Sequence, residues 1–151
     1  MRRQLFTFLT LRVYFPFCHR VYHGKGELLS FASLQGMQLN SLGKKTAEFL
    51  IRHRLDPMPG YEGHDMKHTL LGYGPNMKGE IAMQFFEYGN GNRSAPVVVV
   101  MLFGAFFMPE EWPYFRRQYQ RGAKASDISQ LDLKEFAHLS LVQLKSQWNI
   151  C

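Results

Sequence analysis

Before Glu27 the chain has no acidic residue. Over its whole length it has two cysteines, no apolar run long enough to cross a bilayer, and no repeated or low-complexity tract. Each absence removes a class of protein. Cys18 and Cys151, near opposite ends of 151 residues, form neither a disulfide framework nor a zinc-finger spacing, and a reducing compartment suits them. The longest apolar run, Ala95 to Met108, is 14 residues and is stopped by Pro109, whereas a bilayer-crossing helix needs about 18 to 20. It reads as a buried core element, with a greasy wall for a lipid-like ligand as the other reading. The missing repeats exclude a solenoid. The short N-terminal apolar stretch is cut by Arg12 and lacks a small-residue cleavage site, which argues against a secretory signal. Its acid-free, Arg-bearing character is similar to a mitochondrial presequence, although no serine precedes Ser30.

What is present points to one folded domain spanning 1–151. The chain is 46% apolar, with 13 Phe and 8 Met, which excludes intrinsic disorder. A chain of this size buries roughly 70% of its unfolded surface and needs no covalent staples. Eighteen basic less twelve acidic residues gives +6. Arg2, Arg3, Arg12, Arg20 and Lys25 place +5 of this in residues 1–26 and leave +1 for residues 27–151. Residues 1–26 therefore read as a basic N-terminal helix or arm suited to an anionic bilayer surface. Scattered cations and the lack of a recognised module argue against nucleic acid.

The periodicity predicts an all-α fold. Ser41 caps a helix to about Arg54, with Leu42, Thr46, Phe49, Leu50 and His53 near helical spacing. Further helices are expected over about 63–71, 77–88, 97–107, 109–121 and 140–148, separated by breaks at 56–60, 72–75, 89–92 and 122–126.

The sharpest local feature is Gly63-His64-Asp65-Met66-Lys67-His68, followed by Gly79-Glu80. On a helix His64 and His68 share a face, and two imidazoles so placed can point at one metal ion. Asp65 reaches the same edge, and the Gly-Tyr-Gly-Pro loop lets the next helix turn back and aim Glu80 at the pair. Two nitrogen and up to two oxygen ligands suit Zn²⁺, with Fe²⁺ or Mn²⁺ as alternatives. At this composition a given start matches H-D-x-x-H-x11-E on the order of twice per million, so chance is a weak explanation. The competing account is a helix whose histidines bond locally and whose Asp65 is a favourable charge near the N-terminus. Gln84 and Phe85, beyond Glu80, and Arg117 and Arg121, further on, are candidate substrate contacts.

The same residues, His64, Asp65, His68 and Glu80, resemble the signature of the coenzyme Q (ubiquinone) biosynthesis protein 4 family. Thr69 to Gly72, Gly79 to Glu87 and Arg121-Gly122 are similar to its flanking sequence, and the resemblance covers roughly 41–148. The segment Leu55 to Gly63 is shorter than the family's, and residues before 41 do not match it. The resemblance implies a helical protein holding a divalent metal, zinc foremost, on the signature residues. It implies a metal-dependent decarboxylase that removes the ring carboxylate of a polyprenylated hydroxybenzoate with oxygenation. A non-catalytic lipid-binding scaffold for other quinone-biosynthesis proteins is the alternative role. The expected partners are a polyprenylated aromatic lipid or prenyl phosphate, a membrane surface touched peripherally, and a second copy of the chain. The expected place is the cytoplasm or the inner face of a bacterial membrane, or the matrix side of the mitochondrial inner membrane. A His-Asp metal phosphohydrolase is a third reading and would need His53 with Asp127 or Asp132.

Overall fold

The computed structural model describes residues 29–150, so the expected basic arm over 1–26 lies outside the described residues. Seven α-helices follow in order: α1 Phe31–Gly36, α2 Leu42–His53, α3 Glu62–Leu71, α4 Met77–Gly89, α5 Ala95–Phe107, α6 Trp112–Lys124 and α7 Leu141–Gln147. Two 3₁₀ turns, Pro109–Glu111 and Leu133–Phe136, intervene, and no strand occurs among the described residues. The all-α expectation holds.

Local chemistry sets the boundaries. The Ser41 hydroxyl accepts from Lys44 N–H at 3.2 Å and starts α2, which buries Leu42, Thr46, Ala47 and Leu50. Asn76 starts α4 in the same way, accepting from Gly79 N–H at 2.9 Å. Pro96 sits in the first turn of α5, where its missing N–H costs nothing, so α5 begins at Ala95 rather than near Val97. The helix expected over 109–121 differs. Pro109–Glu111 is a 3₁₀ turn, the chain bends by 104° there, and α6 runs from Trp112 to Lys124. The break expected at 122–126 thus falls two residues late, because Gly122 is used inside the helix for packing.

α4 is the central element. Ile81, Ala82, Met83, Phe85 and Phe86 are buried, with α6 and α5 packed on two of its sides. Gly89 and Gly122 bring α4 and α6 into backbone contact: a Cβ on either would stand 2.1 Å from a carbonyl oxygen of the other helix. Asn90 joins the same crossing. Its amide donates to the Gly122 and Ser126 carbonyls at 3.1 and 2.9 Å and accepts from Ile128 N–H at 2.9 Å. At the other end Leu42 N–H donates to Leu139 O and Leu141 N–H to Asn40 O, each at 2.8 Å, tying α7 to α2.

Candidate metal centre

α3 carries both histidines and α4 the glutamate. Gly72 ends α3 at φ 77°, in the left-handed region that favours glycine. The return is tight: a Cβ on Gly79 would stand 2.0 Å from the Gly74 carbonyl oxygen. The residue before Glu80 must therefore be glycine for the loop to lie against the first turn of α4. That turn brings Glu80 back over α3.

Glu80 Oε1 lies 3.0 Å from His68 Nε2, and Oε2 lies 3.5 Å from His64 Nε2. The two Nε2 atoms are 3.1 Å apart, and one ligand atom from each residue falls inside a 4.8 Å group. His68 Nδ1 is 3.1 Å from the Tyr73 carbonyl. A carbonyl only accepts, so Nδ1 carries a proton, and Nε2 is the nitrogen that faces Glu80 and His64, where it can hold a proton or offer a lone pair to a metal ion. Three electron-rich atoms then converge, and only a cation between them, a proton or a metal ion, removes their repulsion. Tetrahedral zinc with bonds of 2.0–2.2 Å needs ligand atoms roughly 3.4 Å apart. The Nε2–Nε2 spacing and the nearest Glu80 oxygen to each histidine lie within about half an ångström of that value, so the residues present fit the ion with small side-chain adjustment.

The walls are aromatic. Phe49 of α2 stacks on His68 with centroids 5.6 Å apart and planes at 17°. Tyr61 meets His64 edge-on at 6.2 Å. His68 is buried at 2% exposure, whereas the His64 and Glu80 side chains keep 30% and 24%. The group is thus closed behind and open in front, as a site that accepts an exchangeable ligand must be.

Electrostatics follow from this packing. Burial pushes the Glu80 carboxyl up, but hydrogen bonds and charge from His64 and His68 outweigh it and bring it down to about 2. Burial lowers His64, yet its bond and charge interaction with Glu80, helped by Asp65, leave it raised. Protons therefore compete for the site, and metal affinity should fall as pH drops through the raised His64 value.

Asp65 is not a member of the 4.8 Å group. Burial, reinforced by Glu80 and Glu62 and opposed by the histidines, raises its carboxyl to about 6. Without metal the folded state then binds more protons at Asp65 than the unfolded chain between about pH 4 and 6. By linkage its contribution to stability is lost as pH rises through that window. Asp65→Asn should make the metal-free protein more stable at pH 7.5, by roughly 1–2 kcal/mol, and flatten that loss. Urea denaturation at pH 5 and 7.5 checks this; an unchanged pH slope in the variant would count against it.

The other candidates separate. Gln84 is buried on α4, one turn beyond Glu80 on the same face, with no hydrogen bond to another described residue. Phe85 lies on a different side of α4: it stacks on Phe115 at 5.1 Å and meets Trp112 edge-on, so it is core and not a wall of the metal group. Arg117 is exposed on α6. Arg121 is tied into the fold. It donates to the Leu71 carbonyl at 2.9 Å and the Tyr73 hydroxyl at 3.1 Å, and sits over the Tyr73 and Phe86 rings. The buried Tyr73 hydroxyl is pushed up to about 12 and also donates to Gln118 at 2.9 Å.

Arg121 therefore fixes the residue whose carbonyl sets the His68 tautomer, which makes it a positioning residue. Arg121→Ala should lower zinc affinity about tenfold, the lower end of what outer-shell partners contribute. Arg121→Lys should fall between it and wild type, because an ammonium keeps the charge but does not reproduce the planar Nη1 that donates to both Leu71 and Tyr73. Competition with a zinc chelator measures both; wild-type affinity in Arg121→Ala would refute the linkage. Spacing alone gives no access to the roles of Phe49, Tyr73 and Arg121 at the metal group, because each acts through the tertiary fold.

Two further expectations meet the geometry. Asp127 bonds Ser129 N–H and lies beside Gly91, past the far end of α4, and Asp132 caps Lys134. Neither joins the histidines, so the phosphohydrolase set is not assembled. The inner residues of the run 95–108 pack on α4, and a small open hollow of about 10 Å³ elsewhere is lined by residues including Lys67, Phe86 and Asn90.

No family model matches the chain, and no curated protein matches it. Among solved structures, one from Nostoc punctiforme, of a protein named for ubiquinone biosynthesis, shares the fold with a TM-score of 0.64. The two are 16% identical, and the match covers 99% of this chain and 82% of that one. At that identity the likeness is one of fold.

Proposed function

We propose that this chain acts in quinone biosynthesis, as a metal-binding protein of the coenzyme Q biosynthesis protein 4 kind that handles a polyprenylated aromatic acid. The observation that carries the proposal is the convergence of His64 Nε2, His68 Nε2 and a Glu80 oxygen, with His68 oriented by the contact of its Nδ1 with the Tyr73 carbonyl. The shared fold with a protein named for ubiquinone biosynthesis supports the pathway. The sequence signature supports the family.

Zinc or a similar divalent ion would supply Lewis acidity and a template for a carboxylate. The chain supplies the rest. His64, His68 and Glu80 hold the ion, and Phe49 and Tyr61 present rings that exclude water around it. Gln84 offers an amide one turn from Glu80 for a ring oxygen. In this reading Asp65 is the charge beside the ligand histidines.

The test is turnover of a prenylated hydroxybenzoate by zinc- or iron-loaded protein under air. Ring decarboxylation and a new ring hydroxyl, seen by mass spectrometry and absent in Glu80→Gln, is the result expected of an enzyme. Binding of the same lipid without turnover assigns the chain to the scaffold role. Absence of both binding and turnover would contradict the proposal.

A further inference from the structure

We propose that Gln84 is the specificity residue of the site: resting on the metal-held aromatic acid proposed above, its amide binds a neutral oxygen across the ring from the carboxylate. Glu80, Gln84 and Glu87 fall along one line of α4, at spacings of four and three. The outer two both reach α3. Glu80 meets His64 and His68, and Glu87 forms an ion pair with Lys67. Gln84, between them, therefore lies on the side of α4 turned to α3. The next residue, Phe85, turns away from it onto Phe115.

Of the three, Gln84 is the one without a partner. Glu80 has its histidines, and Glu87 has Lys67 and the Asn92 amide, which donates to it at 3.1 Å. Gln84 is 5% exposed, and its amide makes no hydrogen bond to a described residue. Buried amides are nearly always bonded, because leaving one unbonded costs stability. The amide is also not sealed in. Among the described residues the Ser94 hydroxyl is the one fully enclosed side-chain polar atom without a hydrogen bond. The Gln84 amide thus keeps an edge on accessible space, on the strip that carries Glu80.

Spacing and chemistry define what it can read. Four residues of helix advance about 6 Å along α4. In a benzoate an oxygen across the ring stands about that far from the carboxylate carbon, and one beside the carboxylate about half as far. A rigid ring whose carboxylate meets an ion on His64, His68 and Glu80 therefore offers Gln84 an oxygen only from its far end. The amide donates and accepts and carries no charge, so it matches a hydroxyl or carbonyl and gives nothing to a second anion. Gln84 selects and orients, and takes no part in bond making.

The test is calorimetric titration of zinc-loaded, full-length protein with three acids carrying a single isoprene unit. One is the para-hydroxybenzoate, one lacks the hydroxyl, and one has it moved beside the carboxylate. Wild type should favour the first at least tenfold over the other two. Gln84→Leu should lose that preference to within about twofold, mainly by binding the para-hydroxy acid more weakly, and Gln84→Asn should keep part of it. Gln84→Leu should also hold zinc with wild-type affinity and, without ligand, melt at the wild-type temperature or above, because an unpartnered amide is removed. An equal preference in wild type and Gln84→Leu, or binding of all three acids alike by wild type, would overturn the proposal and leave the function proposed above standing. Melting of Gln84→Leu well below wild type would also overturn it, by marking the amide as structural. Zinc-loaded wild type that binds none of the acids would defeat that function and this role of Gln84 together.

Discussion

Replacing His68 by alanine should take bound zinc from about one ion per chain to a residual level. Structural zinc sites contribute roughly 10–16 kcal/mol through four ligands, so each ligand is worth about 3 kcal/mol, or two orders of magnitude in affinity. His68 should cost at least that. It is the ligand whose lone pair is fixed by a second bond, and its loss also leaves the Tyr73 carbonyl without its donor. Because His68 is buried, part of any change could be a loss of fold. Glu80→Gln separates the two. It keeps the shape of a partly exposed side chain but removes the charge that draws a cation to the histidines. A folded Glu80→Gln protein with affinity lowered about a hundredfold is the expected outcome, measured by elemental analysis and chelator competition. Wild-type metal content in both variants would dismantle the site.

Gly122→Ala should be among the most destabilising single-methyl changes outside that site. The new Cβ would meet the Phe86 carbonyl oxygen at 2.1 Å and the Asn90 nitrogen at 3.1 Å. These are backbone atoms, which cannot rotate aside as a side chain does. α4 and α6 must then part by about an ångström, loosening Phe86, Phe115 and the Asn90 bridge together. Overpacking of this kind costs about 3 kcal/mol, enough to lower Tm by about 10 °C in a chain of this size. Gly36→Ala is the control: nothing lies within 4 Å of its added Cβ. Thermal denaturation should separate the two clearly. If Gly122→Ala melts with wild type, the close crossing of α4 and α6 is wrong.

These two residues also show what the sequence makes legible. The metal group is local information. His64 and His68 share a helical face by spacing alone, and glycines around a short loop allow the next helix to return with Glu80. The order and length of most helices are legible for the same reason, since Ser41, Asn76 and Pro96 act on their immediate neighbours. Gly122 is not. As a residue type it signals a break, and only the approach of Phe86 from another helix turns it into a packing site. Phe85 fails the same way: adjacency to Gln84 suggests a shared cavity, but one residue is a 100° rotation, which carries it toward Phe115. The run 95–108 is the most instructive. Hydropathy reports that it avoids water without saying which sides are covered, and α5 covers only one. α1 and the 3₁₀ turn at Leu133–Phe136 are too short for any periodicity to register.

The central claim is that His64, His68 and Glu80 hold one divalent metal ion. X-ray absorption spectroscopy of the zinc-loaded full-length protein tests it most directly. The account predicts about one zinc per chain, a first shell of nitrogen and oxygen at about 2.0–2.1 Å, and outer-shell scattering from two imidazoles. A sulfur shell near 2.3 Å, a single imidazole, or failure to retain zinc after gel filtration would contradict it.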